Sequence, residues 1–134
     1  MINLDEILRE AIRKEASDIH LVAGKRPMLR IARNLDVMED EDILSAEDMD
    51  DMYDFFVRGN IDKDEEYHQT KRLDFSYEFD NVRFRGNISS SNEIPIATLR
   101  IIKKELPRFE DLGIPEVVRK MIYQPQGLIL VTGK

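Results

Sequence analysis

Two runs of strictly alternating apolar and polar residues, 73–79 and 82–88, constrain the fold of this chain more than any other feature. A period of two is typical of strands that bury one face and expose the other. Asp80 and Asn81 separate the runs, and both residue types tolerate the positive φ that a two-residue hairpin turn requires. The pattern predicts an antiparallel hairpin whose buried positions are Leu73, Phe75, Tyr77, Phe79, Val82, Phe84, Gly86 and Ile88.

The predicted turn decides which polar residues face each other across the hairpin. It places Glu78 opposite Arg83, and a cross-strand ion pair worth about 0.2–1 kcal/mol is one role that the pattern offers for that arginine. A third run, 94–103, follows a loop rich in Ser and Asn and carries Arg100 among apolar residues. We expect this run to join the same sheet and to bring Arg83, Arg85 and Arg100 close together.

Helices and short strands are predicted ahead of the hairpin from hydrophobic spacing and capping residues. The first helix begins near Leu4, with apolar residues at helical spacing, and Asn3 can cap it. Helices are expected over 3–15, 45–58 and 61–72, and short strands over 19–22, 28–32 and 35–38. This mixture of helices with antiparallel strands predicts an α+β fold.

The character of the sequence changes after Lys104, which indicates a second domain. Residues 105–108 are predicted to form a connector, 109–112 a single helical turn, and 115–123 a helix with a buried apolar face. The continuous apolar run 128–131 is typical of a strand that is covered on both faces in an α/β sheet. Because such a strand needs neighbours, we expect the chain to be cut at the start of this second domain.

Composition excludes several classes of protein. The chain has 134 residues, of which 42% are hydrophobic and 35% charged, as in ordinary globular domains. It contains no cysteine, which excludes a disulfide framework and a thiolate zinc site. There is no apolar run of the roughly 20 residues that a membrane-spanning helix needs, and the N-terminus lacks the pattern of a signal peptide. A cytoplasmic protein without membrane insertion is the expectation.

The net charge of −7 is concentrated in one block. Residues 35–57 contain ten acidic residues and no Lys or Arg, which argues against nucleic acid binding on that face. The block lacks the spacing of an EF-hand calcium loop, so a solvated helix surface is the simpler interpretation. The two histidines, His20 and His68, lie far apart in sequence without carboxylates at ligand spacing, and we expect no metal site.

Three stretches, in this order and spacing, resemble the secretion and type IV pilus motor ATPases, in particular their PilT-type members. The first is A-S-D-I-H-L at 16–21, followed by G-x-x-P-M-x-R-I at 24–31. The second is L-D-F-S-Y-E at 73–78, with R-F-R-G-N at 83–87 and L-R-x-I at 99–102. The third is L-P-x-x-x-x-L-G at 106–113, followed by Q-G-L-I-L-V-T-G at 126–133.

The resemblance implies a domain organisation and a function. Residues 1–104 would form a PAS-like N-terminal domain with an antiparallel sheet flanked by helices, and 105–108 the interdomain linker. Residues 109–134 would then be the truncated start of a RecA-like ATPase domain, with a short helix and a strand. The parent protein would be a hexameric ATPase that powers type IV pilus retraction and twitching motility, working in the cytoplasm against platform proteins of the inner membrane.

The resemblance also implies a role for the three arginines. In that family, arginines of the N-terminal domain reach the phosphates of ATP when the two domains close. Carried over to this sequence, the nucleotide-phosphate contacts are Arg83, Arg85 and Arg100, with Arg83 and Arg100 ranked first. Many PilT-type proteins have a further arginine in the loop between these strands, where this chain has Ser90-Ser91-Asn92-Glu93.

The phosphate-binding loop itself is missing from the chain. Thr132 and Gly133 would lead into that loop, but the Walker A pattern G-x-x-x-x-G-K-[ST] is absent, since Leu128 stands where its first glycine should be. Lys134 is then either a divergent residue or the remnant of a tag. A Walker B carboxylate is missing as well, so this fragment has no catalytic residues and should not hydrolyse ATP. ATP and Mg²⁺ are expected in the full-length parent, and no cofactor is expected for the fragment alone.

Two other functions fit parts of the sequence. One is a stand-alone PAS-like interaction or ligand-sensing domain whose arginines are structural. The other is the equivalent domain of a pilus assembly or type II secretion ATPase. If the chain is part of a motor ATPase, loss of the ATPase half would expose the 128–131 strand and the apolar face of the 115–123 helix. We therefore expect the fragment to form a dimer or to swap its C-terminal segment.

Overall fold

A computed structural model describes residues 1–133 and shows a six-stranded antiparallel sheet with helices beside it. The first unit of the chain, Met1–Lys104, contains the whole sheet. Its helices are α1 (Leu4–Arg13), α2 (Ala46–Val57) and α3 (Ile61–Thr70). Its strands are β1 (Asp18–Leu21), β2 (Met28–Ile31), β3 (Asn34–Val37), β4 (Arg72–Phe79), β5 (Val82–Ser91) and β6 (Ile94–Ile102). The predicted α+β class is confirmed.

The hairpin of β4 and β5 forms with the predicted register. Asp80 and Asn81 make the turn with φ values of 48° and 60°, and Glu78 pairs with Arg83. The next connection is tighter than expected, because β5 continues through the serines of the predicted loop to Ser91. Asn92 and Glu93, with φ values of 50° and 65°, then form a second two-residue turn. The strands lie in the order β3-β2-β1-β6-β5-β4, so β1 pairs with β6 in the middle of the sheet.

One face of the sheet carries the core. The apolar positions of the alternating strands and the apolar stripe of α1 belong to a single buried cluster. Asn3 accepts a hydrogen bond from the amide of Glu6 and so caps α1, and Ser45 forms a capping box with Asp48 at the start of α2. Among the residues that are less than 2% exposed are Ile7, Leu8, Ile19, Leu29, Phe84 and Leu99. The opposite face of β5 and β6 carries exposed polar side chains, among them Arg83, Arg85, Asn87, Thr98 and Arg100.

The second unit of the chain begins at Glu105 and lacks one of the predicted elements. A 3₁₀ turn (Phe109–Leu112) and helix α4 (Glu116–Ile122) form as predicted. The predicted strand at 128–131 does not form, because no segment within residues 1–133 pairs with it and a strand exists only through hydrogen bonds to a neighbour. Leu128, Leu130 and Val131 are correspondingly 82%, 76% and 95% exposed.

The apolar face of α4 is also not buried, contrary to the prediction. Val117, Met121 and Ile122 are each more than half exposed. Lys134, whose origin the sequence left open, lies outside the described residues. None of the helices within residues 1–133 is long and apolar enough to cross a membrane.

The close approach of β4 and β5 gives a test of the hairpin. A Cβ atom at Gly86 would lie 2.2 Å from the ring of Phe75, which stands opposite it in the register. We expect Gly86→Val to force this ring out of its place beside Phe56 and to lower the free energy of unfolding by about 1–3 kcal/mol. Ser91→Val, at an exposed position of the same strand, is the control. Urea denaturation measures both, and equal stability of the two variants would contradict the packing described.

Candidate functional site

A row of charged residues crosses the polar face of the sheet. Asp18 of β1 stands opposite Arg30 of β2 on one side and opposite Arg100 of β6 on the other. Arg100 stands in turn opposite Arg85 of β5. We call these four residues the arginine row. Arg83 lies two positions before Arg85 on the same strand and therefore on the same face.

The alternation of β5 explains why these arginines lie on the polar face. Arg83 and Arg85 flank Phe84, whose side chain is fully buried on the opposite face. Because neighbouring side chains of a strand point to opposite faces of the sheet, burial of Phe84 and Ile88 places Arg83 and Arg85 on the exposed face. The sheet therefore brings Arg83, Arg85 and Arg100 together as the sequence predicted, and all are exposed. We refer to these three residues as the arginine cluster.

The buried carboxylate of Asp18 anchors the row. Asp18 is only 5% exposed, and its Oδ1 accepts a hydrogen bond of 3.0 Å from Nε of Arg100. Its Oδ2 accepts a 2.8 Å hydrogen bond from the hydroxyl of Ser17 and lies 3.8 Å from Nε of Arg30. Burial alone would raise the pKa of the Asp18 carboxyl, but the hydrogen bonds from Arg100 and Ser17 outweigh it and hold that pKa below its ordinary value.

Sequence reasoning did not assign Asp18 or Arg30 to the site. The signal was present in the A-S-D-I-H-L stretch, where an acidic residue begins a strand whose neighbours are apolar. Its partner Arg100 is 82 positions away, so only the strand order reveals the contact. A buried carboxylate at that position required a cation from another strand, and the sequence alone did not say which.

The other two arginines of the cluster have no acidic partner within residues 1–133. The cross-strand ion pair with Glu78, which the sequence offered as an alternative role for Arg83, does not form there. The carboxylate of Glu78 lies 3.9 Å from the amine of Lys104 instead. Arg85 and Arg100 stand directly opposite each other, and like charges in that relation destabilise a sheet. Of the three guanidinium groups in the cluster, only that of Arg100 is paired with a carboxylate of the described residues, that of Asp18. This excess of positive charge favours the binding of an anion.

The remaining candidate residues are Thr132, Gly133 and the two histidines. Thr132 and Gly133 lie in the second unit, in exposed irregular chain. His20 is partly buried, and its Nε2 has no hydrogen-bond partner within the described residues. His68 is exposed, with Nδ1 3.4 Å from a carboxylate oxygen of Asp64. Residues 1–133 hold no group of three or more metal-ligating side chains.

Comparison with known proteins identifies relatives of the whole chain. It is 31% identical over 138 aligned residues to the type IV pilus retraction ATPase PilT of Pseudomonas aeruginosa, which covers 98% of this chain and 38% of that protein. It is 30% identical to a twitching motility protein of Neisseria gonorrhoeae, over 95% of this chain and 33% of that protein. The chain thus spans only 33–38% of the length of these relatives. No protein-family model matches it.

Solved structures agree with this relationship. A crystal structure of the pilus retraction motor PilT with bound ADP superposes with a TM-score of 0.76 and 28% identity, over 92% of this chain and 36% of that chain. The ATPase DotB of Legionella pneumophila superposes with a TM-score of 0.75 over 92% of this chain and 35% of that chain. At 21% identity, DotB supports the fold alone.

The lowered pKa of Asp18 leads to a test of the anchor by pH. The pKa of the Asp18 carboxyl is lower in the folded chain than in the unfolded chain, where it is near 4. The ionised carboxylate therefore stabilises the fold at any pH above the unfolded pKa. This stabilisation is lost as the pH falls through the folded pKa. We expect Asp18→Asn to cost on the order of 1 kcal/mol at pH 7 and nothing in strong acid. Urea denaturation of both proteins between these limits measures the difference. A difference that does not change with pH would contradict an ionised, hydrogen-bonded Asp18.

Proposed function

We propose that this chain, a homologue of the PilT-type pilus retraction ATPases over their N-terminal region, is the N-terminal regulatory domain of a hexameric motor ATPase. Residues 1–104 would form that domain, 105–108 the linker, and 109–134 the beginning of a RecA-like domain that binds ATP. The arginine cluster would reach the phosphates of this ATP when the two domains close. The motor would power pilus retraction, and with it twitching motility, from the cytoplasmic side of the inner membrane, against its platform proteins.

The observation that carries this proposal is the uncompensated charge of the arginine cluster. A guanidinium group stays charged and donates forked hydrogen bonds, which suits the oxygens of a nucleotide's terminal phosphates. Arg85 opposite Arg100 is unfavourable in the isolated sheet and becomes favourable once an anion lies over the pair. The crystal structure of PilT with bound ADP supports a nucleotide as that anion.

The residues of this chain fit only part of an ATPase site. Arginines can bind phosphates and stabilise the charge that develops during phosphoryl transfer. The chain lacks the Walker A pattern, and residues 1–133 hold no cluster of acidic or histidine side chains that could bind Mg²⁺. ATP and Mg²⁺ would therefore be held by the RecA-like domain. The N-terminal domain would contribute the positive charge of its arginines.

A second function keeps the same fold but assigns the arginines a structural role. The ion pair between Arg100 and Asp18 favours it, because a satisfied pair needs no ligand. In that case the chain would be a stand-alone PAS-like interaction or sensing domain. The equivalent domain of a pilus assembly or type II secretion ATPase is a third assignment, with the same chemistry at the cluster. The sequence that follows residue 134 in the gene separates the stand-alone domain from both motors, since only they require a phosphate-binding loop there.

Substitution of the cluster tests the proposal. We expect Arg85→Ala and Arg100→Ala, each introduced into the full-length protein, to lower ATP turnover by about tenfold or more, because each removes charge from the developing transition state. Arg72→Ala removes an exposed arginine of the sheet's edge strand β4 and is the matched control. Steady-state phosphate release measures all of them. Turnover equal to that of the control in both variants would contradict the proposal.

The second unit leads to an expectation about assembly. Its exposed apolar residues include those of α4 and Leu128, Leu130 and Val131. Exposed apolar segments of this kind associate with, or swap into, a second copy of the chain. We expect the 134-residue chain to form a dimer or larger species, and the same chain ending at Lys104 to be monomeric. Light scattering coupled to size exclusion measures both masses. A monomer at high concentration for the 134-residue chain would contradict this expectation.

A further inference from the structure

Asp18 holds only one edge of the Arg100 side chain. Within residues 1–133, the hydrogen bond that Arg100 donates from its side chain runs from Nε to the Asp18 carboxylate, and neither Nη group donates one. The Arg100 side chain is nevertheless 69% exposed, whereas that of Asp18 is 7% exposed. A guanidinium carries its five N–H donors in a rigid plane. Fixing the Nε edge therefore leaves the outer fork of Nη groups on the solvent side.

Asp18 is itself held in place. The hydroxyl of Ser17 donates to its Oδ2 at 2.8 Å, and strands pair with β1 on both sides. An anchor fixed by the backbone of a central strand reduces the rotamer freedom that Arg100 would otherwise lose on binding a ligand. We propose that Asp18 is a positioning residue, which orients Arg100 so that its outer Nη groups meet the phosphate anion. This inference rests on the proposed function, because phosphate is the anion concerned.

A purely structural ion pair makes the opposite prediction about phosphate. If Asp18 only joined β1 to β6, its negative charge would still repel phosphate at the neighbouring arginines. Removing that charge would then leave phosphate binding unchanged or strengthen it. If Asp18 positions Arg100, the same substitution weakens the interaction, because the guanidinium regains its freedom. The sign of the effect separates the two roles.

A double-mutant cycle in the full-length protein tests the inference. The variants are Asp18→Asn, Arg100→Ala, and the two combined. Asp74→Asn is the matched control, since Asp74 is an exposed carboxylate of edge strand β4 that accepts a hydrogen bond from Asn87 and has no contact with Arg100 within residues 1–133. We expect Asp18→Asn to lower kcat/KM for ATP about three- to tenfold and to have no further effect once Arg100 is alanine. The control should stay close to the wild-type value.

Each outcome decides between the possibilities. A loss for Arg100→Ala with no loss for Asp18→Asn overturns the positioning role and leaves the proposed function standing. A loss for Asp18→Asn that persists in full in the Arg100→Ala background shows an effect on the fold and overturns the positioning role too. If neither Arg100→Ala nor Arg85→Ala lowers kcat/KM, the proposed function is overturned and the inference fails with it. A loss for Arg85→Ala without a loss for Arg100→Ala overturns the inference and leaves the proposed function standing.

A second measurement avoids substitution, in case Asp18→Asn does not fold. Hydrogen exchange of the Arg100 Nε–H can be followed by NMR in the 134-residue chain, without and with tripolyphosphate as the probe. If Asp18 positions Arg100, we expect this proton to be protected in both conditions. The anion would accept hydrogen bonds from the Nη groups, and the Nε–H would remain bonded to Asp18. Exchange that accelerates when tripolyphosphate binds would show that the anion displaces Asp18. That result, or no protection of the proton in the free chain, overturns the inference.

Discussion

The period-two alternation of β5, together with its register against β6, determines where the charged residues of this sheet lie. It buries Phe84 and Leu99 on one face, and the same geometry forces Arg85 and Arg100 to stand opposite each other on the other face. A shift of the register by one residue would bury arginines and expose the core. The hydrophobic effect therefore fixes the positions of the charged residues, although none of them contributes to the core.

The arginine row combines a satisfied and an unsatisfied interaction on neighbouring strands. Asp18 and Arg100 form a hydrogen-bonded pair, whereas the adjacent Arg85 stands opposite Arg100 and has no acidic partner within residues 1–133. Folds tolerate local conflicts of this kind mainly at functional sites, where a ligand removes them. In the function we propose, the phosphates of a nucleotide would supply the missing negative charge. In the same proposal, the buried carboxylate of Asp18 would position Arg100 as well as stabilise the sheet.

The hairpin and the arginine cluster could be derived from the sequence because their determinants are local. Alternation and the Asp80-Asn81 turn together fix the register of β4 and β5, and they place Arg83 and Arg85 on one face. The partnership of Asp18 with Arg100 could not be derived in this way. It depends on β1 entering the sheet beside β6, a choice made by tertiary packing between segments far apart in sequence. The run 128–131 failed as a strand for the complementary reason: its apolar residues predict burial, but the partners that would bury them are not within residues 1–133.

We propose that the sheet presents guanidinium groups to the terminal phosphates of a nucleotide held by a neighbouring domain. A structure of the full-length protein with a non-hydrolysable ATP analogue tests it most directly, through the distances from the guanidinium nitrogens of Arg85 and Arg100 to the γ-phosphate oxygens. We expect at least one such distance to be about 2.7–3.2 Å in a closed subunit, with Asp18 still bound to Nε of Arg100. Both side chains more than about 6 Å from the γ-phosphate in every subunit, beyond the reach of a direct hydrogen bond, would contradict the claim.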